Sequence, residues 1–195
     1  MKRIFLSLAL FVFIKASSQV NYSMDEIEMS RAMNESVYTN VIGKVLLDFS
    51  AKDVNGVTYT NDTIRNGKVT FLNFWFIACA PCIAEIPNLN RLYDITKDSL
   101  GFQFFAITWE SQEKVKEAIK KYDIRFPVLL TSPKESQQLT FGRGYPTNMV
   151  LDRQGKIYSI LSGGSTKPDD GFESYWREEI RKVLSGNNTS LKTTD

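Results

Sequence analysis

The 195-residue sequence contains no histidine. Without an imidazole it cannot build a His-ligated zinc or copper site, nor a Ser–His or Cys–His catalytic pair. It has only two cysteines. These are too few for a wider disulfide framework, and alone they make a poor structural zinc site. The net charge is +2, from 24 Lys+Arg against 22 Asp+Glu. No field of one sign therefore points to nucleic acid or an acidic polymer as partner. An apolar run from Ile4 to Ile14, broken by Ser7, is about half the ~20 residues that span a bilayer comfortably. What remains is ordinary: 43% hydrophobic and 24% charged residues, in a length that fits one globular domain with flanking segments.

The chain begins like an export signal. Lys2 and Arg3 supply a positive start, the apolar run follows, and Lys15-Ala16-Ser17-Ser18 offers small residues for cleavage after Ser18. The expected division is a signal peptide at 1–18, an arm or short helix at 19–43, the main domain at 44–185 and a disordered tail at 186–195. A retained membrane anchor is the alternative reading of the same run. No cysteine stands near the cleavage point, which excludes a lipoprotein anchor on that residue. Export places the chain where disulfides persist.

Within the domain, residues 46–49 predict a strand, Asn55-Gly56 a hairpin turn and residues 57–60 the returning strand. Residues 69–76 are apolar except at Thr70 and Asn73, as suits a central strand covered on both faces. Ile83, Ile86, Leu89, Leu92 and Ile95 then make a helical stripe, with Pro87 inside it expected to kink the helix. Residues 102–108 predict the next strand, which completes a right-handed βαβ unit. Val115, Ala118, Ile119 and Tyr122 mark a second helix, followed by a short strand at 126–131 and a short helix at 134–139. Residues 147–151 and 157–161 flank Asp152-Arg153-Gln154-Gly155 as a hairpin, and Trp176, Ile180, Val183 and Leu184 mark a closing helix.

Both cysteines lie in Cys79-Ala80-Pro81-Cys82, between the central strand and its helix. The first turn of a helix presents free N–H groups and the positive end of its dipole, both of which stabilise an anion. A thiol placed there is lowered in pKa and becomes a thiolate near neutrality, the form that attacks disulfides. Pro81 suits the first turn, where its missing N–H is not needed. Cys79 is thus the expected nucleophile and Cys82, one turn on, the resolving thiol. A static staple is the alternative, but a staple needs neither the strand end nor the helix start. No metal and no bound cofactor is required for this chemistry.

Asn73-Phe74-Trp75, Cys79-Ala80-Pro81-Cys82, Glu85-Ile86-Pro87 and the distant Tyr145-Pro146-Thr147 together resemble the thioredoxin-like thiol–disulfide oxidoreductases of the TlpA/ResA type. The likeness runs over roughly residues 44–185. It implies a thioredoxin-like α/β fold: a central mixed sheet flanked by helices, extended by an N-terminal β-hairpin. It also implies a cis peptide bond before Pro146, with Pro146 against the disulfide and the Tyr145 backbone pairing with an extended substrate. Glu85 matches an acidic residue that such proteins keep near the active site, where it tunes the cysteines or relays a proton. A plain surface glutamate is the other reading. Asn73 stands where thioredoxin has a buried acid, so any relay falls to Glu85 or to water. Trp75 is expected to shield the dithiol or simply to fill the core. One residue departs from the pattern: Ala78 replaces the tryptophan that commonly precedes the first cysteine, and should open the surface around Cys79.

The resulting expectation is a monomeric, exported oxidoreductase that reduces protein disulfides in the cell envelope, such as those of thiols awaiting haem attachment. It would draw electrons from a membrane or envelope donor. An envelope oxidase or isomerase is the nearest alternative. A thiol peroxidase is another, although Phe76 stands where its Thr-x-x-Cys pattern needs threonine. A binding module with a structural disulfide is the last.

Overall fold

The computed structural model describes residues 40–164 and 171–186. The expected signal peptide, nearly all of the arm and the tail beyond residue 186 lie outside the described residues. Strands β1 (Ser50–Asp53) and β2 (Thr58–Thr60) form an antiparallel hairpin across the Asn55-Gly56 turn. The strand expected at residues 46–49 is not formed, and β1 begins one residue beyond it. Leu46 and Phe49 are buried, but no ladder holds this stretch. Its backbone is tied by separate bonds, from Leu46 N–H to the Gly155 carbonyl at 3.0 Å and from Phe49 N–H to Asn61 Oδ1 at 2.7 Å.

A short helix that the sequence pattern did not reveal, α1 (Asn61–Ile64), follows β2 directly. The chain then runs through β3 (Val69–Phe74), α2 (Ala80–Thr96), β4 (Phe102–Thr108), α3 (Gln112–Tyr122), β5 (Val128–Leu130), α4 (Pro133–Leu139), β6 (Thr147–Leu151), β7 (Ile157–Ser162) and α5 (Phe172–Leu184). The seven described strands form one mixed sheet in the order β2-β1-β5-β4-β3-β6-β7. β3 pairs parallel with β4 and antiparallel with β6, so the strand that leads to the cysteines lies inside the sheet. All six of its residues are buried.

Alternation along the strands divides the core in two. Val69, Phe71, Phe104, Ala106 and Val150 point to the side covered by α2, α3 and α5, where Leu89, Val115 and Trp176 meet them. Leu72, Phe74, Phe105, Ile107 and Met149 point to the other side, with Ile64 of α1 and Leu139 of α4. Helices cover both faces, as expected for this class. Trp176 sets its ring edge-on to Phe71, with centroids 5.2 Å apart.

Helix α2 continues unbroken past Pro87. Its stripe departs from expectation at one end: Ile95 is 54% exposed, while Thr96 is buried. Steps of three residues fall short of a turn of about 3.6, so a stripe read at that spacing drifts around the helix. Thr96 rotates inward instead, and its hydroxyl donates to the Leu92 carbonyl at 2.6 Å.

Candidate active site

Strand β3 ends at Phe74, and the chain turns through Phe76, Ile77 and Ala78 before α2 begins. Cys79 is the N-cap of that helix, and its N–H closes the turn onto the Phe76 carbonyl at 3.2 Å. Cys79 and Cys82 are joined by a disulfide, with Cα atoms 5.2 Å apart. The Cys82 N–H donates to Cys79 Sγ at 3.2 Å, so a free helix-terminal donor already points at that sulfur. Cys79 is 5% and Cys82 1% exposed. Pro81 lies in the first helical turn. Trp75 is buried in the same cluster as both cysteines, and its indole Nε1 has no hydrogen-bond partner among the described residues.

Glu85 is not a surface glutamate. It is 3% exposed, one turn along α2 from Cys82, and accepts a hydrogen bond at its Oε2 from Asn148 Nδ2 at 3.2 Å. Asn148 Oδ1 accepts in turn from Asn73 Nδ2 at 2.8 Å. Asn73 and Asn148 are direct partners in the β3–β6 ladder, and both are buried. Two amides thus carry a chain of hydrogen bonds from mid-sheet to the carboxylate. The far end, Asn73 Oδ1, is buried without a partner among the described residues. Gly164 closes over the same carboxylate. A Cβ on it would lie 2.6 Å from Glu85 Oε1 and 2.8 Å from Pro146 Cγ, so any larger residue must push the carboxyl or the ring aside.

The Tyr145–Pro146 bond is cis. The β3–β6 ladder begins at Thr147, and the Pro146 carbonyl accepts from Gly163 N–H at 2.8 Å. Tyr145 packs against the cluster that contains both cysteines. Its hydroxyl is 3.0 Å from Ser136 Oγ. Its ring joins Phe76 and Trp109 in a trio with centroids 4.7 to 5.6 Å apart. Burial lowers the pKa of the nearby Arg143 guanidinium, whose Nε and Nη2 are buried with no partner among the described residues. On the α5 side, Glu85 borders a cavity of about 460 Å³ walled also by Gly164, Tyr175 and Trp176. Burial pushes the Tyr175 phenol pKa up there, against its hydrogen bond with Ser159.

The predicted residues Cys79, Cys82, Glu85, Trp75, Pro81, Tyr145 and Pro146 therefore converge on one end of the sheet. Sequence reasoning missed Asn148, Trp109 and Gly164. The sequence signal for Asn148 is its polarity within a strand whose residues are all buried, directly after the Tyr145-Pro146-Thr147 motif. Among the described residues no cluster of His, Cys, Asp or Glu is fit to hold a metal ion. No described helix is long and apolar enough to cross a membrane.

A sequence model of the AhpC/TSA family matches residues 42–160. The chain belongs to the AhpC/TSA family. It is 32% identical over 141 residues to the thiol–disulfide oxidoreductase ResA of Bacillus anthracis, covering 70% of this chain and 78% of that protein. ResA of Geobacillus thermodenitrificans is 30% identical over 149 residues, with 71% and 83% covered. With the dithiol in place, these relatives make the chain a thiol–disulfide oxidoreductase of the ResA type. A thioredoxin-family thiol:disulfide interchange protein from Chlorobium tepidum superposes with a TM-score of 0.59 at 24% identity, over 73% of this chain and 97% of that one. A thiol–disulfide oxidoreductase from Bacteroides fragilis gives 0.58 at 24%, over 69% and 98%. Both share the thioredoxin-like fold.

Proposed function

We propose that this protein is exported and reduces disulfides of cell-envelope proteins, among them cysteine pairs awaiting haem attachment. The observation that carries the exchange chemistry is the Cys79 sulfur at a helix N-cap, already accepting the Cys82 N–H. In the reduced enzyme the same donor and the helix terminus stabilise a Cys79 thiolate. That thiolate attacks one sulfur of the substrate disulfide, whose S–S bond breaks and whose other sulfur leaves as a thiolate. Cys82 then attacks the Cys79 sulfur and releases the second substrate thiolate. Two electrons have passed to the substrate, one leaving thiolate takes up the Cys82 proton and the other a proton from solvent, and the enzyme disulfide is re-formed. A dithiol donor at the membrane or in the envelope restores the reduced state.

Glu85 handles the Cys82 proton. Its place on the Cys82 face of α2 supports removing the Cys82 proton, and the cavity it borders gives its carboxyl a route to solvent. The Tyr145 backbone, ahead of the ladder, is the edge against which an extended substrate segment lies, with Pro146 and Trp75 shaping the wall. The export assignment rests on the N-terminal Lys2-Arg3, apolar run and small residues. A peroxidase is disfavoured because the residue three before Cys79 is Phe76, whose ring lies in an aromatic trio and offers no hydroxyl.

Cys82→Ser tests the reading in cells, because it leaves the mixed disulfide unresolved. Capture of envelope proteins through Cys79, normally reduced in the cell, is the expected result. Capture of cytosolic proteins alone would reject export. A potential near that of strongly oxidising partners would reject the reductant direction.

A further inference from the structure

The turn that carries Ala78 is braced against the start of α3. Ile77 N–H donates to Glu110 Oε1 at 3.2 Å, and Glu110 pairs with Lys114 at 3.6 Å. Ala78 is exposed between this brace and Cys79. A cavity of about 340 Å³ opens there, with Ile77, Ala78, Ala118 and Tyr122 supplying its apolar lining. Two lysines and two glutamates also line it, so their charges cancel. A side chain entering it is selected by apolar contact and not by the sign of its charge.

We propose that this cavity is a substrate subsite, taking an aliphatic or aromatic side chain adjacent to the substrate's reacting cysteine. The proposal rests on the dithiol-exchange reading, because Cys79 is what brings the substrate there. A substrate sulfur bonded to Cys79 lies beside Ala78, the residue that precedes it in the chain. Successive residues of an extended segment advance about 3.3–3.6 Å, so a side chain neighbouring that sulfur meets the cavity mouth. Ala78 leaves this space open, and a large residue at that position closes it. Ala78 is thereby a specificity-determining position.

The test uses two disulfide-bonded peptides that differ only in the residues flanking one cysteine, Gly in one and Phe in the other. The second-order rate constant for their reduction by the reduced full-length protein is measured. Burial of one aromatic side chain gives an expected preference for the Phe peptide of about tenfold to a hundredfold. Ala78→Trp fills the cavity and should bring the ratio to about one. Tyr122→Ala removes part of the lining and should also reduce it. Equal rates for the wild type, or a ratio that persists in whichever variant folds, would overturn the subsite. Failure of the wild type to reduce either peptide would instead overturn the exchange reading on which the subsite rests.

Discussion

The two flanks of the dithiol are built from opposite materials. Behind the cysteines, Glu85, Asn148 and Asn73 form a buried hydrogen-bonded chain, each with 3% exposure or less. In front, Phe76, Trp109 and Tyr145 form a half-buried aromatic trio, beside the open space left by Ala78. Buried polar groups must be satisfied by particular partners at particular distances, which holds the Glu85 carboxyl in place one turn from Cys82. Aromatic surfaces tolerate varied contacts and suit the recognition of changing side chains. On the proposed reading, the difference separates the labour of one small site, with protons handled at the rear flank and substrate side chains met at the front.

The comparison breaks most visibly at the sulfurs themselves. Cys79→Ser should abolish exchange, a loss of several orders of magnitude, because no other residue supplies the nucleophile. Reduction of a model disulfide measures it, and surviving turnover would remove the dithiol from the mechanism. Next comes Glu85→Gln, nearly the same in shape but unable to carry a proton. It should lower exchange near neutral pH by about a hundredfold and remove one limb of the pH–rate profile. A profile that overlays the wild type would strip Glu85 of its role.

Asn148→Leu attacks the same flank one bond further away. It removes the Asn148 donor to Glu85 Oε2 and leaves the Asn73 amide unmet in the interior, which costs about 1–3 kcal/mol of stability. Denaturant unfolding reads the cost. The exchange rate should fall by about tenfold with a shifted pH profile, because the Glu85 carboxyl loses the Asn148 hydrogen bond. Gly164→Ala should disturb the same carboxylate by crowding it from the opposite side. A pH profile unchanged in both variants would mean that the rear flank only supports the fold.

The two flanks were also unequally legible in the sequence. Glu85 and Asn73 could be located because each lies within a few residues of the cysteines, on an element whose periodicity was clear. Asn148 is 63 residues from Glu85, and nothing local pairs them; only the β3–β6 register does. Trp109 sits just past β4 and meets Phe76 because β3 and β4 run parallel in register. The α3 wall of the Ala78 cavity is likewise a product of chain crossover. The stripe at Ile95 failed for a different reason, since a three-residue spacing drifts off the buried face. The strand expected at residues 46–49 failed because burial alone does not provide a ladder partner. Alternation and helical spacing reveal which face is buried, whereas pairing across long separations has to be seen in three dimensions.

The smallest expected effect sharpens the contrast most. Trp109→Ala removes one ring from a trio whose centroids lie 4.7 and 4.9 Å from it, in positions that are only half-buried. Aromatic pairs of this kind contribute about 0.5–1.5 kcal/mol beyond their buried area, so stability should fall by about 1–2 kcal/mol. The rate with a small model disulfide should change by less than about threefold, because no proton-bearing group is touched. The decisive measurement is the pH profile. If protons are governed from behind the dithiol, the Trp109→Ala profile keeps the wild-type shape while the Asn148→Leu profile does not. Equal shifts in the two variants would mean that the flanks act as one network, since a ring at the surface would then perturb the same proton as an amide in the core.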